Sequence, residues 1–464
     1  MQEKDLLQKI DSFVEQHHDE IIADIKALVD IPSVKAPADE YGPQGKHVRA
    51  ALDKFFEIAK RFGLDTYDLE GHIGYAQLDG DSEEIIATIG HSDVVPVGNG
   101  WNSDPFDMIE KDGYLIGRGT CDDKGPLMLS LYVAKFFKDL GMDLPYSLRV
   151  ICGCDEETGM TDLDYYLKHD KEPLFCFTPD ANFPLIHGEK GLLGGDFISP
   201  EFKDGMILEA KSGTASNVVP DAAYIVIKDP GKALPEAERI TVENVDNGVK
   251  ISATGIGIHA STPQGSVNAI GVLTDYLLDN DLVSAEEKRF LELMKQLHDN
   301  YYGEKLGIAA DDDVFTPLTI IGGMLNFEDG RLIQNMDSRY PKSTTGEKIF
   351  DQLREIAAEY GAEFREGRNE APFYMPADKP EVQACLSAYR DITGDMTEPY
   401  TLGGGTYARH FKNAVAFGPE LESEPLPDFV GPIHGPNEGI SIDLLMKSLK
   451  VYILAVYRLM QLEF

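Results

Sequence analysis

Apolar and polar residues alternate along the first part of the chain in a way that predicts helices and strands in turn. Residues 5–29 and 44–62 carry apolar side chains three and four positions apart, which is typical of amphipathic helices. Short apolar runs predict buried strands at 84–89, 147–152 and 174–177. Because strands alternate with helices, we expect an α/β domain with a mostly parallel central sheet flanked by helices.

The pattern changes after about residue 188. A glycine-rich segment leads there into shorter and more polar strand-like runs, which surround a long helical region at about 267–298. Helical periodicity then resumes and ends in a strongly apolar helix. We therefore predict an inserted α+β domain at 189–372, which divides the first domain into segments 1–188 and 373–464.

The net charge of the chain argues against polyanionic partners. Its 464 residues include 42 basic and 80 acidic ones, so the formal charge is −38. Such a surface repels phosphate backbones and anionic membranes, and no apolar run approaches the ~18 residues that span a bilayer. The N-terminal segment lacks the apolar stretch of a secretory signal, and the five cysteines are an odd number. We expect a cytoplasmic protein with reduced thiols that binds neither nucleic acid nor membrane.

Acidic residues and a histidine directly follow the three predicted strands. They are, in strand order, His91 and Asp93, Glu156 and Glu157, and Asp180. The carboxyl ends of parallel strands meet at one edge of a sheet, and ligands gather there in open α/β folds. We expect these side chains to lie together.

Two further segments add candidates to this edge. A glycine-rich turn, GRGTCDDKG, holds Asp122 and precedes a helix that is predicted to begin at Pro126. A late loop, PIHGPNEG, holds His434 just before the apolar terminal helix.

Each of these residues also has an ordinary structural use. A lone HxD motif or His434 is compatible with a surface loop, and the acidic run at 155–157 with a solvated turn. Cys152 and Cys154 suggest thiolate ligands, but a second CxxC-like pair is missing and small residues suit a buried strand. The shared position at one predicted edge favours a functional site.

The chemistry of these candidates fits two divalent metal ions. Oxygen-rich ligation with one imidazole per ion suits Zn²⁺ or Mn²⁺, and Co²⁺ is a further option. A shared carboxylate offsets the repulsion between two dications. Of two adjacent glutamates, one can bind metal while the other remains free as a base, and a water between the ions becomes a nucleophile near neutral pH.

Eight motifs in a fixed order carry a family resemblance. They are HSDVVP, GWNSDPF, GRGTCDDKG, CDEETG, TPDANFP, GIHASTPQG, GGGTYAR and IHGPNEGI. Together they resemble the aminoacylase and carnosinase family of co-catalytic metallopeptidases, most closely its PepV-type bacterial dipeptidases. The match extends from Ile31 to the last helix. It implies a catalytic di-metal domain and an inserted lid domain.

The resemblance assigns metal ligands residue by residue. His91 and Asp180 bind one metal, Glu157 and His434 bind the other, and Asp122 bridges both.

The resemblance also implies catalytic roles for three residues. Asp93 hydrogen-bonds the far nitrogen of His91 and fixes its tautomer, and Glu156 is the general base for the metal-bridged water. His259 of the lid stabilises the oxyanion, although an ordinary loop histidine is the alternative.

Substrate-binding residues are implied in and next to the lid. They are Asn217, Arg339, Gly403, Gly404, Gly405 and Thr406. Arg339 suits a carboxylate, with a surface ion pair as its alternative. The GGGT segment offers backbone N–H groups for the carboxylate of the substrate, with a flexible turn as its alternative.

The sequence thus predicts a metal-dependent dipeptidase that hydrolyses the peptide bond of small dipeptides. An N-acyl-amino-acid deacylase or a carboxypeptidase of the same family is the alternative enzyme, and a metal-dependent binding protein is the alternative outside catalysis. The length of the inserted segment favours a monomer, as in PepV-like members, and leaves a dimer open.

Overall fold

A computed structural model describes residues 3–421 and 425–464 of the chain. Its α-helices are α1 Glu3–Val29, α2 Lys46–Arg61, α3 Lys124–Leu140, α4 Thr161–His169, α5 Ala269–Asp279, α6 Ala285–Leu297, α7 Gly346–Glu359, α8 Pro380–Thr393 and α9 Ile442–Leu459. Two short 3₁₀ helices span Glu156–Thr158 and Tyr407–His410.

The strands fall into two large sheets and two small ones. They are β1 Asp65–Leu69, β2 Ile73–Leu78, β3 Ile85–His91, β4 Ile109–Lys111, β5 Tyr114–Ile116, β6 Ser147–Gly153, β7 Phe175–Thr178, β8 Ala181–Asn182, β9 Ile186–Glu189, β10 Gly191–Ile198, β11 Ile207–Ser212, β12 Ala222–Ile227, β13 Ile240–Val245, β14 Gly248–Thr254, β15 Thr319–Ile321, β16 Leu325–Glu328, β17 Arg331–Tyr340, β18 Glu363–Glu370, β19 Phe373–Tyr374, β20 Tyr400–Leu402, β21 Ala414–Ala416, β22 Pro419–Glu420 and β23 Gly439–Ser441.

The chain folds into two compact units. The first comprises the chain up to His187 together with Tyr374–Tyr400 and Thr406–Phe464, and the second comprises Gly188–Phe373 and Thr401–Gly405.

The central sheet of the first unit is parallel in its middle. Its strands follow the order β1-β2-β6-β3-β7-β21-β9. Strands β6, β3, β7 and β21 run parallel, whereas β2 pairs antiparallel with both β1 and β6, and β9 pairs antiparallel with β21. All residues of β3 and β6 are buried, which explains their unbroken apolar runs. Helices α1, α3 and α9 pack together, and α3 also packs on β3 and β6.

The second unit is α+β. Its antiparallel sheet has the strand order β13-β14-β12-β11-β16-β17-β10-β18, and α5 and α7 pack on it. The helical region expected at about 267–298 is two helices, because Ser284 and Glu287 form a capping box that starts α6 anew.

No helix in the described part of the chain is long and apolar enough to cross a bilayer.

Candidate metal centre

Three neighbouring parallel strands bring the predicted ligands to one edge of the first sheet. Strand β3 lies between β6 and β7, and His91 is its last residue. Glu156 and Glu157 form the 3₁₀ turn after β6, and Asp180 follows β7 by two residues.

Asp122 lies between two imidazoles that are far apart in the sequence. Its Oδ1 is 3.0 Å from His91 Nε2, and its Oδ2 is 2.8 Å from His434 Nε2. Each carboxylate oxygen therefore faces a different histidine, which is the arrangement that a bridging carboxylate requires.

Two further carboxylates flank this central trio. Asp180 Oδ2 is 3.6 Å from His91 Nε2, and Glu157 Oε2 is 3.2 Å from His434 Nε2. Potential ligand atoms within 4.8 Å of one another form two groups among the described residues: His91, Asp122 and Glu157, and His91, Glu156 and Asp180.

The electrostatics of the cluster show an excess of negative charge. Burial and the Asp180 carboxylate raise the pKa of Glu156 well above its usual value, and burial and Asp122 raise that of Asp180. Hydrogen bonds to Asp122 and Glu157 raise the pKa of His434 to about 11. Burial opposes ionisation of Asp122, but hydrogen bonds from both histidines hold its pKa below the usual range.

This donor set fits a pair of divalent cations. Four acidic side chains and two imidazoles share a small volume, and cations between them relieve the repulsion that raises the carboxyl pKa values. The assignment of each residue to one of two ions stays a prediction.

Both the main-chain oxygen and the carboxylate of Asp93 lie near the His91 ring. Nδ1 lies 2.9 Å from the Asp93 main-chain oxygen and 3.5 Å from its Oδ1, and the expected hydrogen bond from Nδ1 to the Asp93 side chain stays a prediction. The Asp93 carboxylate also accepts the backbone N–H groups of Glu156 and Glu157, both at 3.3 Å. Asp93 thus connects the histidine to the two glutamates.

A buried network that the sequence did not reveal holds the glutamate turn. Asp155 accepts the hydroxyls of Thr158 and Thr161 and pairs with Lys35 Nζ at 2.5 Å. Because Asp155 is fully buried, the acidic run is not the solvated turn that its composition suggested.

Hydrogen bonds to Asp162, including one from Tyr407, hold the same glutamate turn. Asp162 Oδ2 accepts the N–H groups of Cys154 and Asp155 at 2.6 and 3.0 Å and the Tyr407 hydroxyl at 2.6 Å. The turn therefore depends on a residue from a distant part of the chain.

Comparison with known proteins places the chain in a family. Residues 87–458 match Peptidase family M20/M25/M40. The chain belongs to this family. A Staphylococcus aureus (strain MW2) protein named "Putative dipeptidase MW1694" is 34% identical over 467 residues, covering 96% of this chain and 98% of that protein. The resemblance to PepV-type dipeptidases is confirmed, and this M20 peptidase is a metallopeptidase that hydrolyses peptide bonds.

Solved structures show the same fold at low identity. The dipeptidase Dug1p from Saccharomyces cerevisiae matches with a TM-score of 0.59 and 15% identity over 99% of both chains. Bacillus subtilis YXEP, titled a dinuclear metal binding peptidase, matches with a TM-score of 0.54 and 12% identity over 96% of this chain and 98% of its own. The expected fold, an α/β catalytic domain with a mostly parallel sheet and an inserted α+β lid domain, is confirmed.

In the second unit of the M20 peptidase, polar groups contact both ring nitrogens of His259. Its Nδ1 lies 2.7 Å from the Ser261 hydroxyl and 3.2 Å from the Ser261 backbone nitrogen. The Asn217 Nδ2 lies 3.4 Å from its Nε2. These contacts fix the position of the ring within the second unit.

Arg339 is buried and already paired. Its Nε and Nη2 donate to the Asp337 carboxylate at 2.7 and 3.1 Å, and its Nη1 donates to the Gly403 carbonyl at 3.2 Å. The surface ion pair considered for it is thus a buried one that orients the glycine segment.

The GGGT segment is divided between the two units. Gly403, Gly404 and Gly405 belong to the second unit, and Thr406 belongs to the first. A Cβ on Gly403 would lie 2.9 Å from the Ser261 Cβ, so glycine permits a close approach there. The Thr406 hydroxyl accepts the Ala408 N–H at 3.1 Å and caps the second 3₁₀ helix.

Glu420 is a further acidic residue near the centre that the sequence analysis missed. Strand β22 pairs Glu420 with Asn182, two residues beyond Asp180. Glu420 and Cys121 line a cavity of about 240 Å³. Burial and the carboxylates of Asp122 and Asp180 raise the pKa of Glu420 to about 8, so its ionised form favours a nearby cation. Its lack of a recognisable motif explains why the sequence did not single it out.

Proposed function

We propose that this M20 peptidase is a metal-dependent dipeptidase that hydrolyses the peptide bond of small dipeptides. The observation that carries the proposal is the position of Asp122, whose two oxygens face His91 and His434. The name of the S. aureus relative supports the choice of a dipeptidase within the family.

Five residues would hold two divalent cations. His91 and Asp180 would bind one ion, Glu157 and His434 the other, and Asp122 both. The oxygen-rich donors favour Zn²⁺ or Mn²⁺, with Co²⁺ as a substitute. Bound cations supply Lewis-acid polarisation of the scissile carbonyl and make water acidic enough to attack near neutral pH.

Glu156 is the proposed general base. Its carboxylate lies in a group with His91 and Asp180, and the Asp93 contact to its N–H fixes its backbone. Glu156 accepts the proton of the attacking water and then delivers it to the nitrogen of the leaving amine.

The second unit would supply binding and oxyanion stabilisation. We propose that residues 189–372 act as a lid on a catalytic domain formed by 1–188 and 373–464. His259 would stabilise the developing oxyanion by donating a ring N–H. The substrate-contacting residues proposed with it are Asn217, Arg339, Gly403, Gly404, Gly405 and Thr406.

We also propose that the enzyme is a cytoplasmic monomer.

Glu420 is our candidate for recognising a dipeptide over an N-acyl substrate. It lines a cavity together with Cys121, the residue before Asp122, and its carboxylate can pair there with a cationic group. The free ammonium of a dipeptide offers that charge, whereas an N-acylated amino acid does not.

Metal-stripped protein tests this function. The protein is reloaded with Mn²⁺, Zn²⁺ or Co²⁺ and assayed on alanine-containing dipeptides, tripeptides and N-acetyl amino acids. We expect dipeptide hydrolysis only after reloading. Turnover of N-acetyl amino acids alone would indicate a deacylase, and metal uptake without any turnover would indicate a binding protein.

A further inference from the structure

Glu438 is fully buried, and its carboxylate accepts hydrogen bonds from the main chain around Asp122. Its Oε1 accepts the N–H groups of Gly119 at 2.9 Å and of Cys121 and Asp122 at 3.2 Å each. Gly119 has a φ of 92°, which favours glycine and turns the three amides toward one point. Converging amides form an anion site, and here the anion is a side chain of the protein.

The other oxygen of Glu438 extends the contact to the His434 loop. Its Oε2 pairs with Arg118 Nη1, and Arg118 Nη2 donates to the His434 carbonyl at 3.3 Å. Arg118 is buried, and its guanidinium lies 5.3 Å from the centre of the Trp101 ring. One ion pair therefore fixes both the segment with Asp122 and the segment with His434.

A contribution to the stability of the fold does not by itself explain this ion pair. A buried pair loses hydration that its attraction barely recovers, and an apolar pair of similar volume is often as stable. His434 and Asn437 both have a φ of 60°, a conformation that residues other than glycine adopt only when their surroundings impose it. The pair lies where such a constraint is needed.

We propose that Glu438 and Arg118 are positioning residues that set Asp122 and His434 for the cation held with Glu157. This inference rests on the proposed assignment of metal ligands. His91 and Asp180 extend from β3 and β7 and have no hydrogen bond to Glu438 or Arg118 within the described residues. Loss of the pair should therefore weaken one cation site more than the other.

Metal titration of Glu438→Gln tests the proposal. The amide keeps the shape of the side chain but brings an N–H₂ group against Arg118. Because Asp122 is a proposed ligand of both cations, we expect both to bind more weakly. The cation held with Glu157 and His434 should lose about 10- to 100-fold in affinity, the range typical for lost partners of metal ligands, and the other cation should lose less. Calorimetric titration with Mn²⁺ and the absorption spectrum of the Co²⁺ form report the two sites independently of turnover.

Asp170→Asn is the matched control, because it neutralises the carboxylate of another ion pair in the same unit, 3.0 Å from Arg149. It should leave both cation affinities unchanged. Equal weakening of both sites in Glu438→Gln, or a lower Tm with unchanged affinities, would mean that the pair is merely structural.

Arg118→Lys provides a second test should the first variant not fold. Lysine keeps the positive charge but lacks the second guanidinium nitrogen, which donates to the His434 carbonyl. We expect the same selective loss, and normal affinity at both sites would overturn the proposal. Wild-type protein that binds no cation would instead contradict the proposed function itself.

Discussion

At the scale of single residues, the centre depends on carboxylates that are buried close together. Glu156 and Glu157 are neighbours in the sequence, but their surroundings differ. Glu157 lies 3.2 Å from His434, whereas Glu156 groups with His91 and Asp180. This separation supports the proposal that Glu157 holds a cation while Glu156 transfers protons.

Glu156→Gln tests that division of roles. The amide cannot take a proton from water, so we expect kcat to fall by about 10²- to 10⁴-fold while the protein still binds its cations. Steady-state kinetics and metal content measure the two effects. Glu157→Gln is the control and should lose metal; the reverse pattern would mean that the two roles are exchanged.

Glu420→Gln tests recognition of the substrate amine. Removing the charge should raise KM for an alanine dipeptide by about tenfold, the scale of a partly buried charged hydrogen bond. The analogue in which a propionyl group replaces the alanyl residue lacks the ammonium and should be hydrolysed no worse by the variant than by the wild type. An equal loss for both substrates would contradict a role in amine binding.

At the scale of elements, the ends of helices were harder to predict than their apolar faces. Helix α3 begins at Lys124 and not at Pro126. Proline is tolerated as its third residue because the N–H groups of the first helical turn have no partner within the helix. The apolar periodicity of 267–298 continues through the break between α5 and α6, so only the capping box marks the new start. In the folded protein, the apolar residues of α5 and α6 pack into the same hydrophobic core, although the two helices are separate.

The residue that ends α6 gives the second unit a pH-dependent stability. A Cβ on Gly322 would lie 2.6 Å from His298 Cε1, so the ring fills space that glycine leaves. His298 Nε2 is buried, and the Gln334 side chain offsets only part of the effect of burial on the imidazole. Burial lowers the pKa of His298 from 6.5 to about 4.

His298 should therefore weaken the fold in acid. Between its unfolded value of 6.5 and its folded value of about 4, only the unfolded chain binds the proton, so the free energy of unfolding decreases as the pH falls. At about pH 5 the loss is about 2 kcal/mol relative to pH 7. Urea unfolding at both pH values measures it, and His298→Gln should show a smaller decrease; an identical decrease would exclude His298 as the cause.

At the scale of the whole molecule, cation binding and folding are linked. The predicted ligands come from segments between His91 and His434, and the unfolded chain cannot hold them together. Cations that bind only the folded state stabilise it by about 2.7 kcal/mol for each site at 100 times its Kd.

Removal of metal should therefore lower the Tm of the protein. Calorimetry with and without a chelator measures the change, and the Glu156→Gln variant should show the same change as the wild type because Glu156 is not a proposed ligand. A Tm that does not respond to the chelator would contradict the metal centre.

The sequence by itself determined the fold class, the family and the order of the candidate ligands. Apolar runs of strand length report burial directly, and a polar residue that ends such a run must emerge at an edge of the sheet. His91, Glu157 and Asp180 could be predicted for that reason.

Only the tertiary structure decided how these residues are held. The Glu438–Arg118 pair, the Asp162–Tyr407 contact and the position of Glu420 join segments that are hundreds of residues apart, and local periodicity carries no signal for such contacts. The main-chain oxygen that orients His91 is invisible in the sequence because every residue has one. Local pattern fixes which face of an element is buried, whereas the partners of a buried polar group depend on the packing of the whole chain.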